Sequence, residues 1–464
     1  MKFDVIVIGA GSAGYVAAIR LAQLGKSVLV VERDKLGGTC LHYGCIPTKA
    51  LISATEAMEL PKKFARAGIS VENVTVDIDR LRSWKESISG KLARGIEMLF
   101  KGNKVKFVYG EAFVEAPGRV RVNGELMESD SIIVATGSEP MPLPGIDFDG
   151  ERILTSKELL DLKDDPSNLK LAIVGGGVIG LEIGMTYARL GASVTVIEMM
   201  EQVLPGIDPE IAALILRILK RMKIKVFTGT RVTAIDADTS GVTVRASQKD
   251  GREIEVPADR VMIAIGRRPR SRGLGLEELG VEIDRRGFIV TDGRFQTSVP
   301  GIYAIGDVTT MPLLAHKAHR EGVLVAEIIA GLREEKGELV IPAAIFTDPE
   351  IATVGLTEAE AREKGIEVKV GKFPFGANGR ALTMGYLEGF TKIVAEAETG
   401  RIIGVHIVGP DASNLIGEAS VAVTKGLTVE DIGGTIHPHP TLSETLMEAA
   451  EAAEAKAIHI LNRR

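Results

Sequence analysis

The 464-residue sequence predicts an α/β protein with two dinucleotide-binding domains, the second inserted in the first, and an α+β C-terminal domain. Three observations predict it. A strand, glycine turn, helix and second strand occur as a unit twice, at residues 4–32 and 170–198. Short apolar strands running into glycine flank the second copy, at Ile132–Ala135 before it and ahead of Gly266 and Gly306 after it. From about residue 346 that device stops, and strands such as "KIVAEA" and "IIGVHIVG" alternate before helices. The resulting boundaries are 1–146 and 273–345 for the two parts of the first domain, 147–272 for the insert and 346–464 for the last. No Pro-rich or low-complexity linker separates them, so the parts are expected to dock tightly.

The first unit, "DVIVIGAGSAGYVAAIRLAQLGKSVLVVE", places Gly9, Gly11 and Gly14 between a β-branched strand and an amphipathic helix. The second, "KLAIVGGGVIGLEIGMTYARLGASVTVIE", does the same with Gly175, Gly177 and Gly180. Glu32 and Glu198 each lie 23 positions after the first glycine of their unit. The glycines serve a tight turn, close backbone approach to a pyrophosphate, and close helix–strand packing, while the helix N-terminus faces the phosphates. One such motif recurs by chance in a chain with 52 glycines. Two in this context, each with its acidic residue, make a specific signal for Rossmann-like sites. A carboxylate suits a free ribose 2′-OH and repels a 2′-phosphate. Met199, Met200, Glu201 and Gln202 follow Glu198 with no Arg or Lys, so the nicotinamide cofactor is expected to be NAD. Two sites in one chain suggest two cofactors passing electrons across a shared interface.

Between the units, "GGTCLHYGCIPTK" (Gly37 to Lys49) holds both cysteines, Cys40 and Cys45. Cross-linking so short a loop restricts the unfolded chain little. The pair therefore suits a bond that opens and closes, with two buried free thiols as the alternative. Five residues of regular helix rise about 7.5 Å, beyond the roughly 6.8 Å limit between disulfide-bonded Cα atoms. Pairing thus requires a helix break, for which Gly37, Gly38 and Gly44 give freedom; Pro47 suits the first turn of a helix starting just after. No second cysteine pair exists to complete a metal site.

A helical stretch then runs through Trp84, and "VYGEAFVEAPGRVRVNGELMESDSIIVATGS" reads as short strands with a turn at Asn123–Gly124. Lys49 and Glu182 each lie just inside a helix that begins at a cofactor site, so an ion pair between them would join the two domains. Thiolate chemistry needs a base. The densest histidine site is "TIHPHPTLSETL", with His437 and His439. Thr441 and Glu444 there also fit a capping box that opens the last helix, and Pro438 and Pro440 hold the histidines extended. Catalytic and structural readings both stand, and His42, between the cysteines, is a rival base.

The chain is 45% apolar, with net charge -6 and pI near 5.8, which disfavours nucleic-acid binding. Two cysteines disfavour a disulfide-built secreted fold. Asp4 interrupts the apolar N-terminus, which reads as a buried strand rather than a signal peptide. No apolar run reaches the ~18 residues of a membrane span, so a cytoplasmic protein is expected.

Taken together and in order, "GGTCLHYGCIPTK", both glycine units, "ATGS", "AIGRRP", "YAIGD", "LAHKA", "IFTDPEIATVG" and "HPHPTLSE" resemble the pyridine nucleotide–disulphide oxidoreductases over essentially the whole length. The resemblance implies FAD in the first site, touching Gly9, Gly11, Gly14, Glu32, Lys49, Gly110, Thr136, Gly137, Ser138, Asp307, Leu313, Leu314, Ala315 and His316. It implies NAD in the second, touching Gly175, Gly177, Gly180, Glu182, Glu198, Val232 and Gly266. It makes Cys40–Cys45 a redox disulfide, with Cys45 against the flavin and Cys40 exchanging with substrate, and makes His439 the acid/base oriented by Glu444. It further implies a homodimer in which residues 346–464 form the interface and each site takes its histidine from the neighbouring subunit. The activity implied is NAD-dependent oxidation of dihydrolipoamide carried on a lipoyl-bearing subunit of a 2-oxo acid dehydrogenase or glycine cleavage complex. One departure is His42-Tyr43, where many relatives have Asn-Val.

Overall fold

The first unit folds as a strand, helix and strand because its apolar residues are buried on both faces, as parallel sheets require. In the computed structural model, which describes residues 2–239 and 241–462, Val5, Ile6 and Val7 of β1 (Lys2–Ile8) are wholly buried. Helix α1 (Ser12–Gln23) follows, and β2 (Val28–Glu32) returns parallel to β1 with Val7 opposite Val30. The sheet runs in the order Lys106–Tyr109, β2, β1, Glu125–Val134, Arg119–Val122, Ala112–Ala116. Its last three strands form an antiparallel meander.

The cysteine segment is two helices rather than one: α2 (Gly38–Tyr43) and α3 (Cys45–Glu56). The break is at Gly44, with φ -146° and ψ -108°. Helix α3 begins at Cys45, so Pro47 stands in its first turn as expected. Proline is tolerated there because the first-turn N–H groups of a helix have no intrahelical acceptor. Trp84 lies on a 25-residue helix, Ile78–Gly102.

The insert repeats the first plan with β3 (Lys170–Val174), α4 (Val178–Arg189) and β4 (Ser193–Ile197) in an all-parallel five-stranded sheet. The chain enters it through Ser138–Pro140 and leaves through Arg267–Pro269, which pair antiparallel as a two-stranded ribbon. Ile302–Ala304 then rejoins the first sheet beside Glu125–Val134. Helix α5 (Ala315–Ile329) crosses α1 so closely that a Cβ on Gly322 would sit 2.7 Å from the Ala13 carbonyl oxygen. The C-terminal part is an antiparallel sheet in the order Ala343–Ile345, Glu350–Gly355, Ile402–Gly409, Phe390–Glu396, Val368–Pro374. Against it pack Ala412–Lys425 and α6 (Glu444–Ala453) through Ile416, Ala419, Leu446 and Ala449. Among the described residues no helix is long and apolar enough to cross a membrane.

Candidate active site

The two glycine turns are near copies. Gly9 and Gly175 have φ of +101° and +108°, and a Cβ on either would press to 2.4 or 2.5 Å on the carbonyl oxygen of Ala135 or Ala264. A Cβ on Gly14 or Gly180 would strike the carbonyl of the unit's first glycine. The middle glycines differ. Apart from its chain neighbours, none of the described residues lies within 4 Å of a Cβ on Gly177, and only the Gly38 Cα (3.9 Å) approaches one on Gly11. These two residues are also the N-caps of α4 and α1, and neither helix has a side-chain cap. Free N–H groups and a positive dipole end therefore stand at each turn, a cradle that a pyrophosphate fits.

Both acidic residues are pinned alike. Glu32 accepts hydrogen bonds from the N–H groups of Ala10 (2.7 Å) and Asp34 (2.8 Å), and Glu198 from those of Gly176 (2.6 Å) and Met200 (2.7 Å). Each carboxylate thus stands fixed at its strand end with lone pairs left for a ribose diol. Gly110 adjoins Glu32, donating its N–H to the Glu32 carbonyl (2.9 Å). Gly266, at φ +142°, accepts from the Met141 N–H (3.1 Å), and Val232 is half-buried on Thr230–Ala237.

Beside the first cradle, the Thr136 hydroxyl donates to the Arg270 carbonyl (2.6 Å), Gly137 turns the chain at φ +71°, and the Ser138 hydroxyl donates to Asp307 (2.7 Å). Arg267 donates through Nε to the Ser138 hydroxyl and through Nη2 to the Ser138 carbonyl, both at 2.8 Å. Sequence reasoning did not assign Arg267, although it stands within the "AIGRRP" motif. Leu313 and Leu314 lead into α5 at Ala315 and His316. Helix α5 likewise lacks a side-chain cap, and His316 Nε2 lies 2.6 Å from the Pro342 carbonyl oxygen.

Cys40 and Cys45 are thiols within hydrogen-bond reach of each other. The Cys40 S–H donates to Cys45, which together with burial pushes the Cys40 thiol far up. That same hydrogen bond, and the Lys49 cation, outweigh burial at Cys45 and lower it to about 7. Cys45 is also the first residue of α3, where the helix dipole favours an anion. Ser12, which sequence reasoning also missed, is within hydrogen-bond reach of Cys40; a hydroxyl inside the first glycine turn was the available signal. Lys49 Nζ donates to Glu182 (2.7 Å) and lies 4.6 Å from the Phe346 ring centroid, while Glu182, buried, accepts from the Phe346 N–H (2.8 Å). The expected ion pair forms, and it engages the C-terminal part as well. His42 turns instead to the Leu36 carbonyl (2.9 Å) and is not among the main groups acting on either sulfur.

At the C-terminal site, His439 Nδ1 is 2.8 Å from Glu444 Oε1. A carboxylate only accepts, so the proton lies on Nδ1 and Nε2 is free. Burial opposes charge on Glu444, but the Thr441 N–H (2.8 Å) and His439 overcome it and hold the carboxyl below its usual range. Only half the expected capping box forms: the Thr441 hydroxyl donates to the Pro438 carbonyl (2.7 Å). His437 uses both ring nitrogens, on Glu418 and the Thr435 carbonyl. His439 is 78% exposed and is absent from the main groups acting on the sulfurs, so one chain does not bring it to the cysteines.

Residues 3–322 match the family model described as pyridine nucleotide-disulphide oxidoreductase, and residues 341–450 match that family's dimerisation domain. The chain belongs to the pyridine nucleotide–disulphide oxidoreductases. It is 49% identical over 463 residues to a dihydrolipoyl dehydrogenase of Thermus scotoductus, covering 99% of both chains. It is 46% identical to the one of Bacillus subtilis, covering 99% of this chain and 98% of that one. Among solved structures it matches LpdA of Mycobacterium tuberculosis with TM-score 0.88 and 30% identity, covering 97% of this chain and 99% of that one. As a pyridine nucleotide–disulphide oxidoreductase it is a flavoprotein enzyme whose cofactors are FAD and NAD. The dimerisation domain supports a homodimer.

Proposed function

We propose that the chain is a dihydrolipoyl dehydrogenase, oxidising protein-bound dihydrolipoamide to lipoamide with NAD+ as acceptor. The observation that carries this reading is the sulfur pair at a broken helix, with Cys45 drawn down to about 7 beside Lys49. In this reading residues 1–146 and 273–345 hold FAD, 147–272 hold NAD, and 346–464 form the dimer interface. Gly11 and the α1 N-terminus would take the FAD pyrophosphate, Glu32 its ribose, and Lys49, Thr136, Gly137, Ser138, Asp307 and the Leu313–His316 turn its flavin side. Gly177 and Glu198 would do the same for NAD, with Glu182, Val232 and Gly266 alongside. FAD, when bound, supplies two-electron transfer between the sulfur pair and the nicotinamide.

The residues then divide the work. His439, contributed by the partner subunit, takes a proton from a substrate thiol on Nε2 while Glu444 holds the ring. The substrate thiolate attacks Cys40 Sγ, the Cys40–Cys45 bond breaks, and Cys45 leaves as the thiolate its surroundings favour. The second substrate thiol attacks its own sulfur in the mixed disulfide. Cys40 departs and takes up a proton, as its raised pKa requires. The cysteine pair has gained two electrons, the substrate has lost them, and one proton leaves for solvent.

The lipoyl group would arrive on another subunit of a 2-oxo acid dehydrogenase or glycine cleavage complex, which suits an acidic, cysteine-poor cytoplasmic protein. The decisive measurement is steady-state NADH formation from dihydrolipoamide, with NADP and glutathione as controls. Turnover with NAD is expected; its absence, or a preference for NADP and glutathione, would sink the proposal.

A further inference from the structure

Lys317 and Glu321 stand one turn apart on α5, 3.2 Å between Nζ and Oε1, with side chains only 2% and 4% exposed. A buried ion pair is costly unless its remaining donors and acceptors are satisfied. Here each partner makes one further bond, and both of these go to one short turn. Glu321 Oε2 accepts from the Gly306 N–H at 2.7 Å, and Lys317 Nζ donates to the Thr310 carbonyl at 2.9 Å. The pair thus grips residues 306 and 310, the two ends of the turn that presents Asp307. From the other side Asp307 accepts from Ser138, which Arg267 holds. The turn has no slack: a Cβ on Gly306, at φ +78°, would come within 3.1 Å of the Ala13 Cβ on α1.

We propose that Lys317 and Glu321 are positioning residues for FAD, fixing the 306–310 turn so that Asp307 meets the cofactor in one place. Neither was singled out as a site residue, and neither belongs to the dithiol chemistry. An ion pair needed only for core stability would have no reason to send both spare bonds to the same five residues. The inference rests on the proposed contact between Asp307 and FAD.

The test uses purified holoenzyme and follows FAD release by flavin fluorescence, together with the visible spectrum of bound flavin and the melting temperature. Glu321→Gln keeps an oxygen for Gly306 but leaves Lys317 unpaired, and should speed FAD release about tenfold or more. Glu321→Gln/Lys317→Met removes both charges, so it should melt closer to the parent than the single variant does. It should still release FAD fast and show a shifted flavin spectrum, because Thr310 has lost its anchor. Should Glu321→Gln fail to fold, the double variant carries the test. Parental release rate and spectrum in the double variant would overturn the proposal and leave a plain core ion pair. Asp307→Asn separates the two readings: if it leaves release unchanged, the assignment of Asp307 to FAD fails first. If it speeds release while the double variant does not, only the positioning role fails.

Discussion

The two glycine units share a turn, a pinned carboxylate and an uncapped helix, yet their mouths differ. Over the first lies the cysteine segment: a Cβ on Gly38 would come 2.7 Å from the Gly11 Cα. Apart from its chain neighbours, none of the described residues comes within 4 Å of a Cβ on Gly177. One local device thus builds a roofed site and an open one. The roof is Gly37–Lys49; after the second unit the chain returns only as far as Gly176, whose carbonyl accepts from the Leu204 N–H (2.9 Å), and leaves Gly177 uncovered. A roofed cradle suits a cofactor that stays through many turnovers, and an open one suits a cofactor exchanged in each.

Four sets of substitutions probe that comparison, in falling order of expected effect. Cys45→Ser cuts the route between the two sites. NADH formation from dihydrolipoamide should drop below detection while flavin absorbance shows FAD still bound, and undiminished turnover would refute the redox role. His439→Ala should slow the dithiol half-reaction about 10²- to 10⁴-fold and scarcely touch NADH oxidation by an artificial acceptor; stopped-flow of both halves shows whether the losses separate. The mouths themselves are compared by Gly177→Ala and Gly38→Ala. At 177, where φ is -78°, the methyl group meets none of the described residues, so melting should stay parental while KM for NAD rises about tenfold, or about 1.4 kcal/mol. At 38, where φ is +65°, Ala should instead lower the melting temperature and FAD occupancy; equal behaviour of the two would erase the distinction. Smallest is Lys49→Met. Cys45 is thiolate above about pH 7 and thiol below, and loss of the cation removes stabilisation of the anion. The midpoint of its alkylation by iodoacetamide, read peptide by peptide in reduced enzyme, should move up by about one unit.

How far the sequence reveals these features depends on their range. The glycine turns and their acidic residues were legible because backbone approach and strand length act within one unit of about 30 residues. Lys49 and Glu182 were legible as a pair because each lies just inside a helix that begins at a cofactor site, although 133 positions separate them. Disulfide geometry called for a helix break if the cysteines pair, with Gly37, Gly38 and Gly44 to allow it, and the structure puts the break at Gly44. Ser138, Arg267 and Asp307 were not legible as a network, since three strand ends must converge before any of them has a partner. The Glu321–Gly306 bond was hidden for the same reason. At Thr441 the capping-box pattern misled by half, because the Pro438 carbonyl competed for the hydroxyl. Pro47 was legible in the first turn of α3, where it stands third, because the first-turn N–H groups need no intrahelical acceptor.

The Lys49–Glu182–Phe346 junction bears on how freely such a chain can be recombined. Its three members come from the first domain, the insert and the C-terminal part, and the Glu182 carboxylate is almost wholly removed from water. A chimera that imports a foreign insert without an acid at that helical position would strand the Lys49 ammonium at the seam. The insert is therefore not a module to be exchanged at will: its Arg189 and Asp208 also pair with Asp348 and Lys392 of the C-terminal part, so a graft must keep its charges there as well as at Glu182.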